Sequence, residues 1–271
     1  MKKKQLILIG IGILAIIGLA SLPKIVVDND GQADVSGAEP SASAGQSNDP
    51  AAMHEAELSP EKEAELTALK ISLDSEPNAD AARSLASLYR EKSKYDSAAY
   101  YLSKVAATSE DLSLAEETGN TYYEAFTFAL DPEKVAYLAE QTRDYLNKVL
   151  ENDPSRTDLK SKIAMTYVSS SNPMQGITML REILEQDPQD EEALFNMGIL
   201  SMQSGQYKRA TERFEELIKY HPENLQGQFY LGVSYFEANQ KNKAKAQFEK
   251  TQEMTQDTMI LETIQSYLDR L

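Results

Sequence analysis

Two histidines, His54 and His221, are the only imidazoles in 271 residues, and there is no cysteine. A lone imidazole with no second ligand at a fixed spacing supports neither a metal site nor acid–base work, so each reads as structural or incidental. The missing cysteines remove disulfides, thiolate metal sites, a thiol nucleophile and lipidation on sulfur. Carboxylates are plentiful, in pairs such as Glu116–Glu117, Glu191–Glu192 and Glu215–Glu216. Neighbouring residues on a helix point to different parts of its surface, so these pairs do not converge on one substrate atom. The segment Asp28–Asn29–Asp30–Gly31–Gln32–Ala33–Asp34 hints at calcium, but it lacks the alternating ligand order and the distal glutamate of a calcium loop. No phosphate loop, Gly-x-Ser-x-Gly or zinc-helix motif occurs. The expectation is a chain without catalytic residues, metal or cofactor. A formal charge of −16, from 27 basic and 43 acidic residues, speaks against nucleic acid as a partner.

If the side chains are not arranged for chemistry, the question becomes what arrangement they do have. Pro154, Pro188 and Pro222 stand 34 residues apart, as do Ala164, Gly198 and Gly232. The same step joins Gly176, Ala210 and Ala244, and also Leu180, Phe214 and Phe248. One period shared by four kinds of position implies a structural repeat. In the copy from 191, Gly198 and Ala210 are small where two helices cross, and Phe214 fills the space toward the next copy. Gly205 supplies the positive φ that ends the first helix, and Pro222 stops the second. Ser59–Pro60, Asp131–Pro132 and Asn172–Pro173 each set a capping residue before a proline, predicting helix starts near 60, 133 and 173. Ile260, Ile264, Tyr267, Leu268 and Leu271 form one apolar face, as expected of a helix closing the last repeat.

These spacings resemble the tetratricopeptide repeat, whose pattern is Trp-x2-Leu-Gly-x2-Tyr, then Ala-x3-Phe, then Pro. The best copy reads Leu194, Met197, Gly198, Ser201, Ala210, Phe214, Pro222; the next reads Gln228, Leu231, Gly232, Tyr235, Ala244, Phe248. Degenerate copies carry Ile163, Ala164, Tyr167, Gly176 and Leu180, and earlier Leu85, Ala86, Tyr89, Ala98 and Leu102. Between them lies an enlarged repeat around Gly119 and Tyr122, with eleven extra residues. The resemblance implies an all-α fold, a right-handed α-solenoid of about five helix-turn-helix repeats. Their expected ranges are 79–111, 112–156, 157–190, 191–224 and 225–258, with a capping helix at 259–271.

The N-terminus reads differently. Three lysines precede an apolar run from Leu6 to Ala20, so residues 1–27 are either a signal-anchor helix or a signal peptide cleaved after the Gly18–Leu19–Ala20 pattern. Residues 28–58 are poor in large apolar side chains and make a flexible acidic linker, roughly 30 Å in root-mean-square span. The solenoid then occupies 59–271. The arrangement looks like that of membrane-anchored periplasmic repeat proteins of bacteria, and implies a single-pass protein of the envelope, or a periplasmic one after cleavage.

In this family ligands lie along the concave wall of first helices. The matching positions are Met165, Val168, Phe195, Ile199, Met202, Phe229, Val233 and Phe236, an apolar stripe. Apolar surplus of this kind calls for cover. Three covers are open: the chain itself, through tight curvature or its C-terminal helix; a peptide or protein segment; or a second copy closing a homodimer. The first two repeats carry Asp80, Arg83, Arg90, Glu91, Glu116, Asn120, Tyr123 and Glu124 instead, a polar wall read as mostly solvated. The lysine–asparagine clamp that some members use for a terminal carboxylate has no counterpart, since Ser161, Phe195 and Phe229 stand there. Two functions fit: a non-enzymatic interaction scaffold tethered at the envelope, or a self-associating structural protein.

Overall fold

The structure, a computed structural model, describes residues 58–271, and among these residues every regular element is a helix. The twelve helices are α1 (Pro60–Ser75), α2 (Ala79–Glu91), α3 (Tyr95–Ala106), α4 (Leu112–Phe128), α5 (Pro132–Asn152), α6 (Thr157–Val168), α7 (Pro173–Gln186), α8 (Glu191–Gln203), α9 (Tyr207–Tyr220), α10 (Leu225–Glu237), α11 (Lys241–Glu253) and α12 (Thr258–Leu268). Each packs chiefly on its sequence neighbours, giving a solenoid of about six helix-turn-helix units. The first helices of the pairs are α2, α4, α6, α8 and α10; α1 precedes them and α12 closes the stack.

The chain starts and stops these helices where its capping chemistry dictates. Ser59 and Asp131 accept from the backbone N–H groups of Lys62 and Lys134, ahead of Pro60 and Pro132. Asn172 does not cap. Its side-chain amide donates to the Gln175 Oε1 at 3.2 Å, so Pro173 alone starts α7. Gly205 takes φ +70° at the turn after α8, a conformation disfavoured for any residue with a Cβ.

Within a pair, the small residues face a ring rather than only a backbone. A Cβ at Gly198 would lie 2.6 Å from the Phe214 ring, and one at Gly232 equally close to Phe248. In the enlarged repeat Leu146 takes this place against Gly119. At Gly176 the approach is tighter, because a Cβ would meet the Ala164 carbonyl oxygen at 2.2 Å.

The expected single-pass anchor and envelope placement are corrected here. Among the described residues no helix is long and apolar enough to cross a membrane. The transmembrane and signal-anchor reading of 1–27, like nearly all of the proposed linker at 28–58, falls outside the described residues, so the membrane placement is withdrawn.

Candidate functional site

The wall made by the first helices changes chemistry along its length. From α1 to α6 it is laced by ion pairs between successive helices. Lys62 of α1 pairs with Glu91 of α2. Arg83 Nε donates to Glu117 at 2.8 Å and Arg90 Nε to Glu124 at 2.9 Å, both from α2 to α4. Arg156, at the start of α6, forms a two-pronged bond to Glu116 at 2.7 and 3.0 Å and holds Asp158 at 2.8 and 2.9 Å. Lys162 Nζ donates to Asn120 at 2.7 Å. The Arg156 guanidinium keeps both the Glu116 and Asp158 carboxyls below the usual range. The polar side chains read as solvated are therefore mostly engaged with one another; Asp80 stays open, 3.8 Å from Arg83.

Tyr123, also on this wall, is half-buried, and burial pushes its hydroxyl pKa up, with the Glu192 charge adding in the same direction. Glu192 keeps area open to water yet is crowded by protein, and its carboxyl is raised, first by desolvation and then by Asp158 among the neighbouring acids.

From α8 onward most of the ties are aromatic. Phe195 meets Tyr230 edge-on at 5.6 Å, and Tyr230 stacks on Phe214 at 5.9 Å. Tyr267 of α12 reaches Phe229 at 6.2 Å, Phe236 at 5.2 Å and Phe248 at 5.1 Å. The Arg270 guanidinium lies 4.8 Å from the Phe236 ring centre.

These contacts sort the eight stripe residues. Phe229 and Val233 are buried, at 3% and 2% exposure, with α12 contributing cover to Phe229 through Tyr267. Phe195, Ile199, Met202 and Phe236 are half-buried against the same C-terminal core. Met165 is half-buried on the small core between the two large ones, and Val168, also half-buried, presses on the Gly176 position. What stays partly open is an uncharged band across α6, α8 and α10.

His221 serves structure: its Nε2 donates to the Gln189 carbonyl at 2.7 Å and its Nδ1 lies 3.5 Å from Glu191. Among the described residues no group of three or more His, Cys, Asp or Glu is placed to hold a metal ion.

Comparison with known proteins agrees with the repeat. Residues 148–248 match the family described as surface lipoprotein assembly modifier, N-terminal TPR repeats, a stretch of less than half the chain. A tetratricopeptide repeat protein from Parabacteroides merdae superposes with TM-score 0.55 at 19% identity, covering 75% of this chain and 77% of its own. MamA gives TM-score 0.44 at 17% identity, over 69% of this chain and 91% of its own. YrrB, described as a TPR protein with an unusual peptide-binding site, gives 0.39 at 18%, over 73% and 97%. No curated protein matches. The chain has a tetratricopeptide-repeat fold.

Proposed function

We propose that this chain is a non-enzymatic scaffold that holds a protein segment on the uncharged band of its first-helix wall. The observation that supports this is the half-buried set Met165, Val168, Phe195, Ile199, Met202 and Phe236, which carries no charge in a strongly acidic molecule. Such a band gains by losing water, and its methionines adapt to different side chains. A second copy of the chain is the simplest occupant. Two molecules of charge −16 repel at a distance, but the band's own side chains bring no acidic groups together, and the one charge resting on it is the Arg270 guanidinium over Phe236. A different protein presenting an apolar segment meets the same requirement.

Sedimentation of the full chain over a wide concentration range separates the two. Mass that rises with concentration, and falls back to monomer in an Ile199→Ser, Met202→Ser variant, supports the second copy. A monomer at every concentration removes that occupant and leaves the apolar segment of another protein. Association unchanged in the variant overturns the assignment of the band.

A further inference from the structure

We infer that the solenoid bends at one place, the connection between α7 and α8, with α1–α7 and α8–α12 moving as two blocks.

The packing is discontinuous there. One large core runs from Leu66 to Ile163 and a second from Leu194 to Ile264. What joins them is a small cluster of Ala164, Leu180, Ile183 and Ala193, fringed by the half-buried Met165, Met179 and Met197. Two of its four buried members are alanines, which offer little area, and methionine side chains re-pack readily. Across such a contact, a change of angle costs less than across an interlocked aromatic layer.

The ties are discontinuous as well. Each other step along the wall has a polar or aromatic link: Lys62–Glu91 for α1 to α2, Arg83–Glu117 for α2 to α4, and Arg156–Glu116 for α4 to α6. Beyond the break, Asn224 Nδ2 donates to Glu191 at 2.7 Å for α8 to α10, and Tyr267 grips Phe236 for α10 to α12. Among the described residues, no side-chain hydrogen bond, ion pair or ring contact joins α6 or α7 to α8 or α9. Lys162, the cation nearest in place to bridge to Glu192, already donates to Asn120 and reaches Glu192 only as a longer-range charge. The Ser161 hydroxyl, buried on α6, has no partner either.

Local bonds locate the pivot. The Gln189 carbonyl is held by His221, so the turn's second half travels with the C-terminal block. The Asp187 N–H bonds back to the Ile183 carbonyl, so its first half travels with α7. The Asp187 carbonyl accepts from the Asp190 N–H at 3.1 Å and its Oδ1 from the Gln189 N–H at 3.0 Å, so the rest of the turn holds together and the pivot is the backbone of Asp187 itself. Bending there changes the spacing between Met165 on one block and Phe195 on the other, whatever the wall holds.

The absence of cysteine permits clean labelling of introduced pairs. In the full chain, spin labels on Ser84→Cys with Glu212→Cys span the pivot; Ser84→Cys with Asp144→Cys and Glu212→Cys with Gln265→Cys each stay within one block. All four sites are exposed. The expected distance distribution across the pivot is about twofold wider than either internal one. Equal widths overturn the inference. A second variant tests the cause. Val168 and Gln203 are the twelfth and thirteenth residues of α6 and α8, the places Arg90 and Glu124 hold in α2 and α4. Adding Val168→Arg with Gln203→Glu supplies the missing tie and narrows the wide distribution, while the internal pairs report that both blocks remain folded. A width unchanged by this pair, with both blocks folded, rejects the missing tie as the cause.

Discussion

The two halves of this solenoid solve one problem by different chemistry. In α1–α6, successive helices are fastened along the wall by Arg83, Arg90, Arg156 and their carboxylate partners; in α8–α12, by Phe195, Phe214, Tyr230, Phe236 and Tyr267. The ion pairs sit at side-chain exposures near one third, where water screens them and each contributes modestly. The aromatic layer is dry at its centre, where Phe214 and Phe248 have no exposed surface, and its stabilisation scales with buried area. The N-terminal half thus adds directional but weak links along its wall to a core of its own, which runs from Leu66 to Ile163. The C-terminal wall is held by aromatic packing, and part of its apolar surface stays half-buried.

That contrast can be broken most forcefully at Phe248, which has no exposed surface and fits between Gly232, Phe229 and Tyr267. Phe248→Ala is expected to cost about 3–5 kcal/mol in denaturant unfolding. Retention of near-native stability would mean that the aromatic layer is not what holds this half.

A smaller effect is expected at Gly176, where the added methyl of Gly176→Ala meets the Ala164 backbone and forces α6 from α7, at a cost of about 1–3 kcal/mol. A variant as stable as wild type would show that the pair has room to part.

Arg156→Ala comes next. It removes both forks, to Glu116 and Asp158, for about 1 kcal/mol at low salt, and the difference from wild type should shrink in 1 M NaCl as screening grows. Phe248→Ala should show no such salt dependence.

Acid sharpens the comparison further. Glu116 and Asp158 have folded pKa values below their unfolded ones, so their contribution is complete above the ordinary carboxylate range, about 4, and is lost as pH falls through the folded values. Glu192 runs the other way. Its folded pKa is raised, so its contribution is present below the unfolded value and lost as pH rises through the folded one. Glu192→Gln is therefore expected to raise the melting temperature slightly at pH 7 and to leave it unchanged in acid, and calorimetry at both pH values checks this.

How much of this was legible follows from how local each signal is. The Gly198–Phe214 and Gly232–Phe248 spacings announce the helical pair directly, because both partners lie in one repeat. Ser59, Asp131 and Gly205 act within a turn of their own position, and their roles were readable. Asn172 looks identical to Asp131 in sequence, yet its side chain turns to Gln175. The lacing of the polar wall is not legible because its partners lie 29 to 42 residues apart, as in Lys62–Glu91, Arg83–Glu117 and Lys162–Asn120. The enlarged repeat shifts the register between them. The signal available was the recurrence of Arg83 and Arg90 against Glu117 and Glu124 at a repeat-length step. The burial of Phe229 and Val233 depends on where α12 docks, which periodicity within the repeats does not encode.

The most direct test of the central claim, that the apolar end of the wall and not the laced end receives a protein, is site-specific photocrosslinking. A benzophenone side chain would replace Met202 in one full-length protein and Ser87, on the laced wall, in another. The account predicts a covalent adduct to a second polypeptide, of this chain or another, from position 202 alone. Adducts from position 87 alone, or equally from both, would contradict it.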